Sequence, residues 1–236
     1  MSGKIYIVPT PIGNLEDISF RAIRILKEVQ LVLAEDTRTS RNLLKYFDIN
    51  TPLQAYHMHN EHRVVESIIE KIQNGTDIAL VSDAGTPGIS DPGFLLIRAC
   101  IENDIPVECL PGPTAFVPAL VVSGLTTDSF VFEGFLPHQK GRQKKLSKIL
   151  DYDSTVIVYE SPYRVVKLLE QLVDAGAGKR KMVSTREISK KFESIIRGTV
   201  EEVLLHFKTT DPKGEFVFVL EGKSSAQKKQ QDEDQS

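Results

Sequence analysis

The chain has 236 residues, 41% of them hydrophobic and 26% charged, and a formal net charge of −3. That length suits one large or two small domains with real cores, and the acidic balance gives no general affinity for nucleic acid. No apolar run reaches 18 residues, and MSGKIYIVP at the start lacks the regions of a signal peptide, so no membrane partner and a cytoplasmic location are expected.

The first half alternates strand-like and helix-like segments. IYIVP (5–9) reads as a buried strand, and Ser19 can cap a helix with Phe20, Ile23 and Leu26 on one face. LVLA (31–34) is a second strand, followed by a short helix carrying Leu43, Leu44 and Phe47. LQAY (53–56) is a weaker third strand. Val64, Val65, Ile68, Ile69 and Ile72 then make the clearest helical stripe, stopped by Gly75. IALV (78–81), a helix over 95–103 and VECL (107–110) complete the pattern. Such alternation implies a largely parallel sheet covered by helices.

PGPTA (111–115) punctuates the chain, so the expected domains are 1–113 and 114–222. A small-residue helix, AFVPALVVSG, tolerates Pro118 in its first turns and ends at Gly124. FVFE (130–133), TVIVYE (155–160), MVST (182–185), FESIIRG (192–198) and GEFVFVLEG (214–222) read as strands. Helices are expected over 142–150, over 162–174 and after Thr199, and the short connections imply a mixed sheet. Residues 223–236 carry no apolar side chain beyond Ala226 and read as a disordered polar tail.

Charge divides unevenly. Residues 1–113 carry 10 Lys and Arg against 15 Asp and Glu, whereas 114–222 carry 16 against 14. The basic excess is densest at Lys140, Arg142, Lys144, Lys145 and Lys148. Cys100 and Cys109 have no metal-like spacing, and His57, His59 and His62 have no carboxylate or thiolate pattern to complete a site, so no metal is expected.

Every unusual stretch of the first half follows a strand: PTPIGNLED, AEDTRTS, SDAGTPGISDPG and PGPTA. Ligands of open α/β sheets sit at those carboxyl ends. Gly lets backbone approach a ligand, Pro keeps that backbone still, and Asp83 offers a carboxylate. No G-x-G-x-x-G follows a strand, no phosphate-binding loop exists, and no nucleophile elbow appears. What remains suits a polar ligand not dominated by phosphate.

IYIVPTPIGNLEDI (5–18), AEDTRTS (34–40), ALVSDAGTPGISDPG (79–93), LPGPTA (110–115), FEGFLP (132–137), YESPYR (159–164), REISKKFE (186–193) and KGEFVFVLEG (213–222) resemble the tetrapyrrole methylase superfamily, and within it the bacterial 16S rRNA (cytidine-2'-O)-methyltransferases. The resemblance spans residues 4–222. It implies an α/β, two-domain, class III methyltransferase fold with a mainly parallel N-terminal and a mixed C-terminal sheet, usually a homodimer. It further implies S-adenosylmethionine bound between the domains and methyl transfer to a ribose 2'-hydroxyl of a cytidine in 16S rRNA of the small ribosomal subunit.

By the same resemblance, Pro9 and Gly13 flank the cofactor. Asp83, Ala84, Gly85, Pro87, Gly88 and Ile89 hold its methionine part and ribose, and Thr114 and Ala115 touch it at the hinge. Ser161, Glu187, Gly214 and Glu215 fall near the adenine. Glu35, Asp36 and Arg38 are substrate-side candidates, with Asp36 as the base and Arg38 as a phosphate clamp, although Glu35 or Asp36 could instead cap the following helix. Glu133 is a second catalytic candidate, able to orient the 2'-hydroxyl or to bond backbone at a strand end, and Glu187 and Lys190 share that ambiguity. Arg38, Arg41, Lys140, Arg142, Lys144, Lys145 and Arg164 are candidate RNA contacts; the cluster from 140 to 148 fits a solvated helix face equally well. Longer members carry a further C-terminal helical region, where this chain has its polar tail. A small-molecule methyltransferase is the alternative reading.

Overall fold

The computed structural model describes residues 2–223, so the expected tail beyond Lys223 lies outside the described residues. The chain divides into two compact units between Thr114 and Ala115.

In the first unit, β1 (Ile5–Ile7), β2 (Leu31–Ala34), β3 (Leu53–Ala55), β4 (Ile78–Val81) and β5 (Val107–Cys109) form one sheet in the order β3-β2-β4-β1-β5, with every pairing parallel. Parallel strands need crossover helices, and both faces are therefore covered. Ile5, Ile7, Leu33, Ile78 and Leu80 point to one face, against α3 (Glu61–Gln73) and α4 (Phe94–Glu102). Val8, Val32, Ala34, Ala79 and Val81 point to the other, against α1 (Phe20–Glu28) and α2 (Thr37–Tyr46). The period-2 alternation of the strands and the i, i+3, i+4 stripes of the helices thus meet in two separate cores. Ser19 caps α1 by accepting from the Ala22 N–H, as its place in the sequence implies.

The second unit holds β6 (Phe130–Phe135), β7 (Thr155–Glu160), β8 (Lys181–Arg186), β9 (Ser194–Thr199) and β10 (Phe216–Leu220) in the order β6-β7-β10-β8-β9. Only β6 and β7 pair in parallel; the other ladders are antiparallel, giving the mixed sheet. One face packs on α6 (Arg142–Asp151), α7 (Val165–Leu172) and α8 (Val200–Thr209). The other face meets α5 (Phe116–Ser123) through Ala119 and Leu120. Thr199 closes a capping box with Glu202 at the start of α8.

The helix expected over 162–174 is broken into three pieces: a 3-10 turn at Pro162–Arg164, α7, and a wide turn at Val173–Ala177 with Gly176 at φ +84°. Pro at the first position fits the tight opening turn, and a left-handed glycine ends regular helix. Among the described residues no helix is long and apolar enough to cross a membrane.

Candidate active site

All five strands of the first sheet run the same way, so every strand-following loop emerges at one edge. Direct bonds tie these loops together. Thr10 and Gly85 exchange both backbone hydrogen bonds at 2.9 Å, joining the loop after β1 to the loop after β4. The buried Thr10 hydroxyl donates to the Ser82 carbonyl at 3.1 Å, and the Thr86 hydroxyl to the Pro113 carbonyl, also at 3.1 Å. Gly112 lies so close to Pro9 that a Cβ there would stand 2.6 Å from the Pro9 Cβ. That approach is open to glycine alone. Asp83 Oδ1 accepts from the Asp36 N–H at 3.1 Å, fastening the loop after β2.

Within this cradle Gly85 and Gly88 adopt φ +86° and +83°. Ser90, at φ +65°, takes the same left-handed region, which disfavours an L side chain. Among the described residues the N–H groups of Ala84 and Gly88 donate to no acceptor, while Pro87 is buried and Asp83, Ala84 and Ile89 are exposed. Gly13, at φ +142°, turns the first loop before the 3-10 turn at Leu15–Asp17. The first-unit cofactor candidates therefore share one rigid edge.

Carboxylates concentrate there. Burial and then the Asp83 charge push the Glu35 carboxyl up. Asp91 is pushed up to about 6, by burial first and then by Glu35 and Asp83. Carboxyls raised in this way by burial and neighbouring acidic charge favour the arrival of a cation. Asp36 behaves differently: it caps α2 by accepting from the Arg38 N–H at 2.8 Å, and the Arg38 guanidinium grips it at 2.7 Å. These bonds hold its carboxyl at about 2. Arg41 lies exposed on α2.

In the second unit the strand register collects the remaining candidates. Phe216 stands opposite both Glu160 and Arg186, so Ser161, Glu187 and Glu215 lie just beyond one row across three strands. Glu187, at φ +52°, donates its N–H to the Glu215 carbonyl and accepts the Glu215 N–H on Oε1 at 2.8 Å. Lys190 Nζ bridges Glu187 at 3.1 Å and Glu215 at 2.9 Å. Burial raises the Glu187 carboxyl, but the Glu215 N–H and Lys190 outweigh it and the net shift is downward. Gly214, at φ +88°, leaves room for the Glu187 side chain, which a Cβ would meet at 2.7 Å.

Three sequence expectations need correction. Arg142 is no RNA contact: its guanidinium is 3% exposed and donates to Gln171, the Pro137 carbonyl and Glu160. The reason lies in its helix stripe, since Arg142, Leu146 and Ile149 all face inward at i, i+4 and i+7. Lys145 is not free for phosphate, because it is paired with Glu133. Glu133 in turn has a nearly buried side chain held by Lys145 and by the Tyr152 hydroxyl at 2.7 Å, which leaves it no substrate hydroxyl to orient. Lys140, Lys144 and Lys148 remain exposed.

Gly112, Thr10 and Asp91 belong to the framework of the first unit's loops, and Glu160 to that of the second unit's row, but none was singled out by sequence. Glu160 carried a readable signal: an acid ending the apolar run TVIVYE, followed four residues later by Arg164.

The family model for tetrapyrrole (corrin/porphyrin) methylases matches residues 4–204. The chain is 47% identical over 223 residues to the ribosomal RNA small subunit methyltransferase I of Escherichia coli O157:H7, covering 93% of this chain and 78% of that protein. It is 46% identical over 221 residues to the protein of the same name from Synechocystis, at 93% and 79% coverage. Among solved structures, a uroporphyrin-III C-methyl transferase from Thermus thermophilus, complexed with S-adenyl homocysteine, superposes with a TM-score of 0.65 at 19% identity, covering 93% of this chain and 97% of that one. With the strand orders described above and these matches, the chain belongs to the tetrapyrrole methylase family.

Proposed function

We propose that this chain is an S-adenosylmethionine-dependent methyltransferase acting on the ribose 2'-hydroxyl of a cytidine in the 16S rRNA of the small ribosomal subunit. The single observation that carries the cofactor assignment is the tied cradle at the first sheet's edge. Its Ala84 and Gly88 N–H groups, which have no acceptor among the described residues, suit a carboxylate or ribose oxygens, and its raised carboxylates, Glu35 and Asp91, suit a ligand bearing an ammonium and a sulfonium. When bound, the cofactor supplies an activated methyl group. Pro9, Gly13, Gly85, Pro87 and Ile89 wall that site in this reading, with Thr114 and Ala115 at the junction. Ser161, Glu187, Gly214 and Glu215 receive the adenine.

The relatives' name supports RNA as the acceptor, and their identity of 46–47% favours it over a small-molecule substrate. Because the methyl donor is already activated, the residues' main task is alignment, which contributes about 7–11 kcal/mol of barrier reduction in well-oriented reactions. Arg38 is 88% exposed and its exposed ion pair is weak, so an RNA phosphate can take it from Asp36. The freed Asp36 carboxylate then regains the basicity to accept the 2'-hydroxyl proton. Arg41 in the first unit and Lys140 and Lys144 in the second are further exposed phosphate contacts in this reading, whereas Arg164 is committed to Glu160 and does not reach RNA. The chain acts in the cytoplasm as a homodimer, for which the exposed Val117, Val121 and Val122 on α5 supply an apolar contact face.

Radiolabelled methyl transfer to small subunits from cells lacking this enzyme tests the reading. Label on RNA, lost when the target ribose lacks its 2'-hydroxyl, is expected. Label on a tetrapyrrole and none on RNA would transfer the assignment to a small-molecule enzyme.

A further inference from the structure

Two large rings stand in solvent at the edge of the second sheet where β7 and β8 end. Tyr163 is 95% exposed in the turn after β7, and Phe192 is 64% exposed in the loop between β8 and β9. β7 and β8 flank β10, so at ordinary strand spacing their ends lie roughly 10 Å apart. Phe20, Phe94 and Tyr46 are exposed as well, so what sets Tyr163 and Phe192 apart is their place at the ends of neighbouring ladders together with the charges around them.

Each ring has cationic company. Lys191 Nζ stands 5.7 Å from the Phe192 ring centroid. Beside Tyr163 lies a buried trio in which Arg142 and Arg164 share the single carboxylate of Glu160, leaving one positive charge uncompensated. Arg164 Nη1 is buried and has no acceptor among the described residues. Charge in a poorly solvated position acts on its surroundings more strongly than charge in water. The trio also stiffens the turn: Glu160 Oε1 accepts from the Ser161 N–H at 2.9 Å and from Arg164 Nε at 2.7 Å. Tyr163 is thus presented on a fixed support. Lys140 and Lys144, exposed on either side of Arg142, lie close by because Arg142 itself reaches Glu160.

We infer that this edge is a platform for single-stranded RNA, on which Tyr163 and Phe192 stack against bases while Lys140, Lys144 and Lys191 neutralise phosphates. The inference rests on the RNA reading above and specifies how that RNA is held. Planar rings alternating with cations match the alternation of bases and phosphates along an unpaired strand. A duplex hides its base faces and offers such rings nothing.

Anisotropy of a short labelled oligocytidylate, single-stranded or paired with its complement, tests this on the whole chain. Tyr163→Ala and Phe192→Ala should each raise the single-strand Kd roughly 5- to 100-fold, the range of one lost base–aromatic stack, while Tyr163→Phe retains wild-type binding. The slope of log Kd against log salt should stay unchanged in the ring variants and fall by about 0.7 in Lys144→Ala. Cofactor affinity by calorimetry and mass by sedimentation should match wild type in all of them. Wild-type binding by both Ala variants, preference for the duplex, or a changed mass, which would assign the rings to a protein interface, overturns the inference. If the wild-type chain binds neither RNA form, the RNA reading falls with it.

Discussion

The two units hold their candidate residues by different means. The first uses backbone: Thr10 and Gly85 bridge loops through main-chain bonds, Gly112 seats against Pro9, and prolines keep the geometry still. The second uses side-chain charge: Glu160 between two arginines, Lys190 between two glutamates, Lys145 on Glu133. The main-chain bonds of such a cradle are indifferent to salt, and at Gly112 they leave no room for a side chain. An ion-paired edge depends on each partner's charge.

That contrast can be broken in four places. Glu160→Ala should have the largest effect. It leaves two buried guanidinium groups without their carboxylate, and such losses amount to about 3–5 kcal/mol. Denaturant unfolding should show the second unit destabilised by that order, and an unchanged midpoint would mean the trio relaxes into water.

Gly85→Val comes next. Its φ of +86° disfavours a β-branched side chain by about 1–3 kcal/mol, and the added side chain would lie against Ile12 and the Pro113 carbonyl, inside the cradle. Calorimetry should show S-adenosylmethionine affinity reduced at least tenfold with RNA affinity intact. Equal loss of both would tie the two functions more closely than the contrast allows.

Asp91→Asn sharpens the comparison through pH. With its carboxyl raised to about 6 in the folded protein, Asp91 favours folding below its unfolded value near 4 and loses that contribution as pH rises through 6. The variant should therefore melt above wild type at pH 7, with the difference shrinking toward pH 4. A constant difference would show that the shift has another source.

Lys144→Glu should have the smallest effect on the protein itself, since Lys144 is exposed. Stability should change by less than about 0.5 kcal/mol, while RNA affinity weakens and its salt dependence flattens. An unaltered salt response would remove α6 from the RNA path.

By itself the sequence determined the elements, their alternation and the strand-end loops, because apolar periodicity and Gly–Pro punctuation are local properties of the chain. Ser19 as a cap, Gly124 as a helix end and the mixed character of the second sheet were all legible in that way. Which charges face solvent was not. Arg142 sits in a run that reads as a basic surface, yet its partners Glu160 and Gln171 arrive from β7 and α7, 18 and 29 residues along the chain. Glu133 and Lys145 neutralise each other across 12 residues for the same reason. Only the tertiary structure decided these pairings, because a long charged side chain is committed by what lies within a few ångströms of its tip, and that neighbourhood exists only once distant segments have packed.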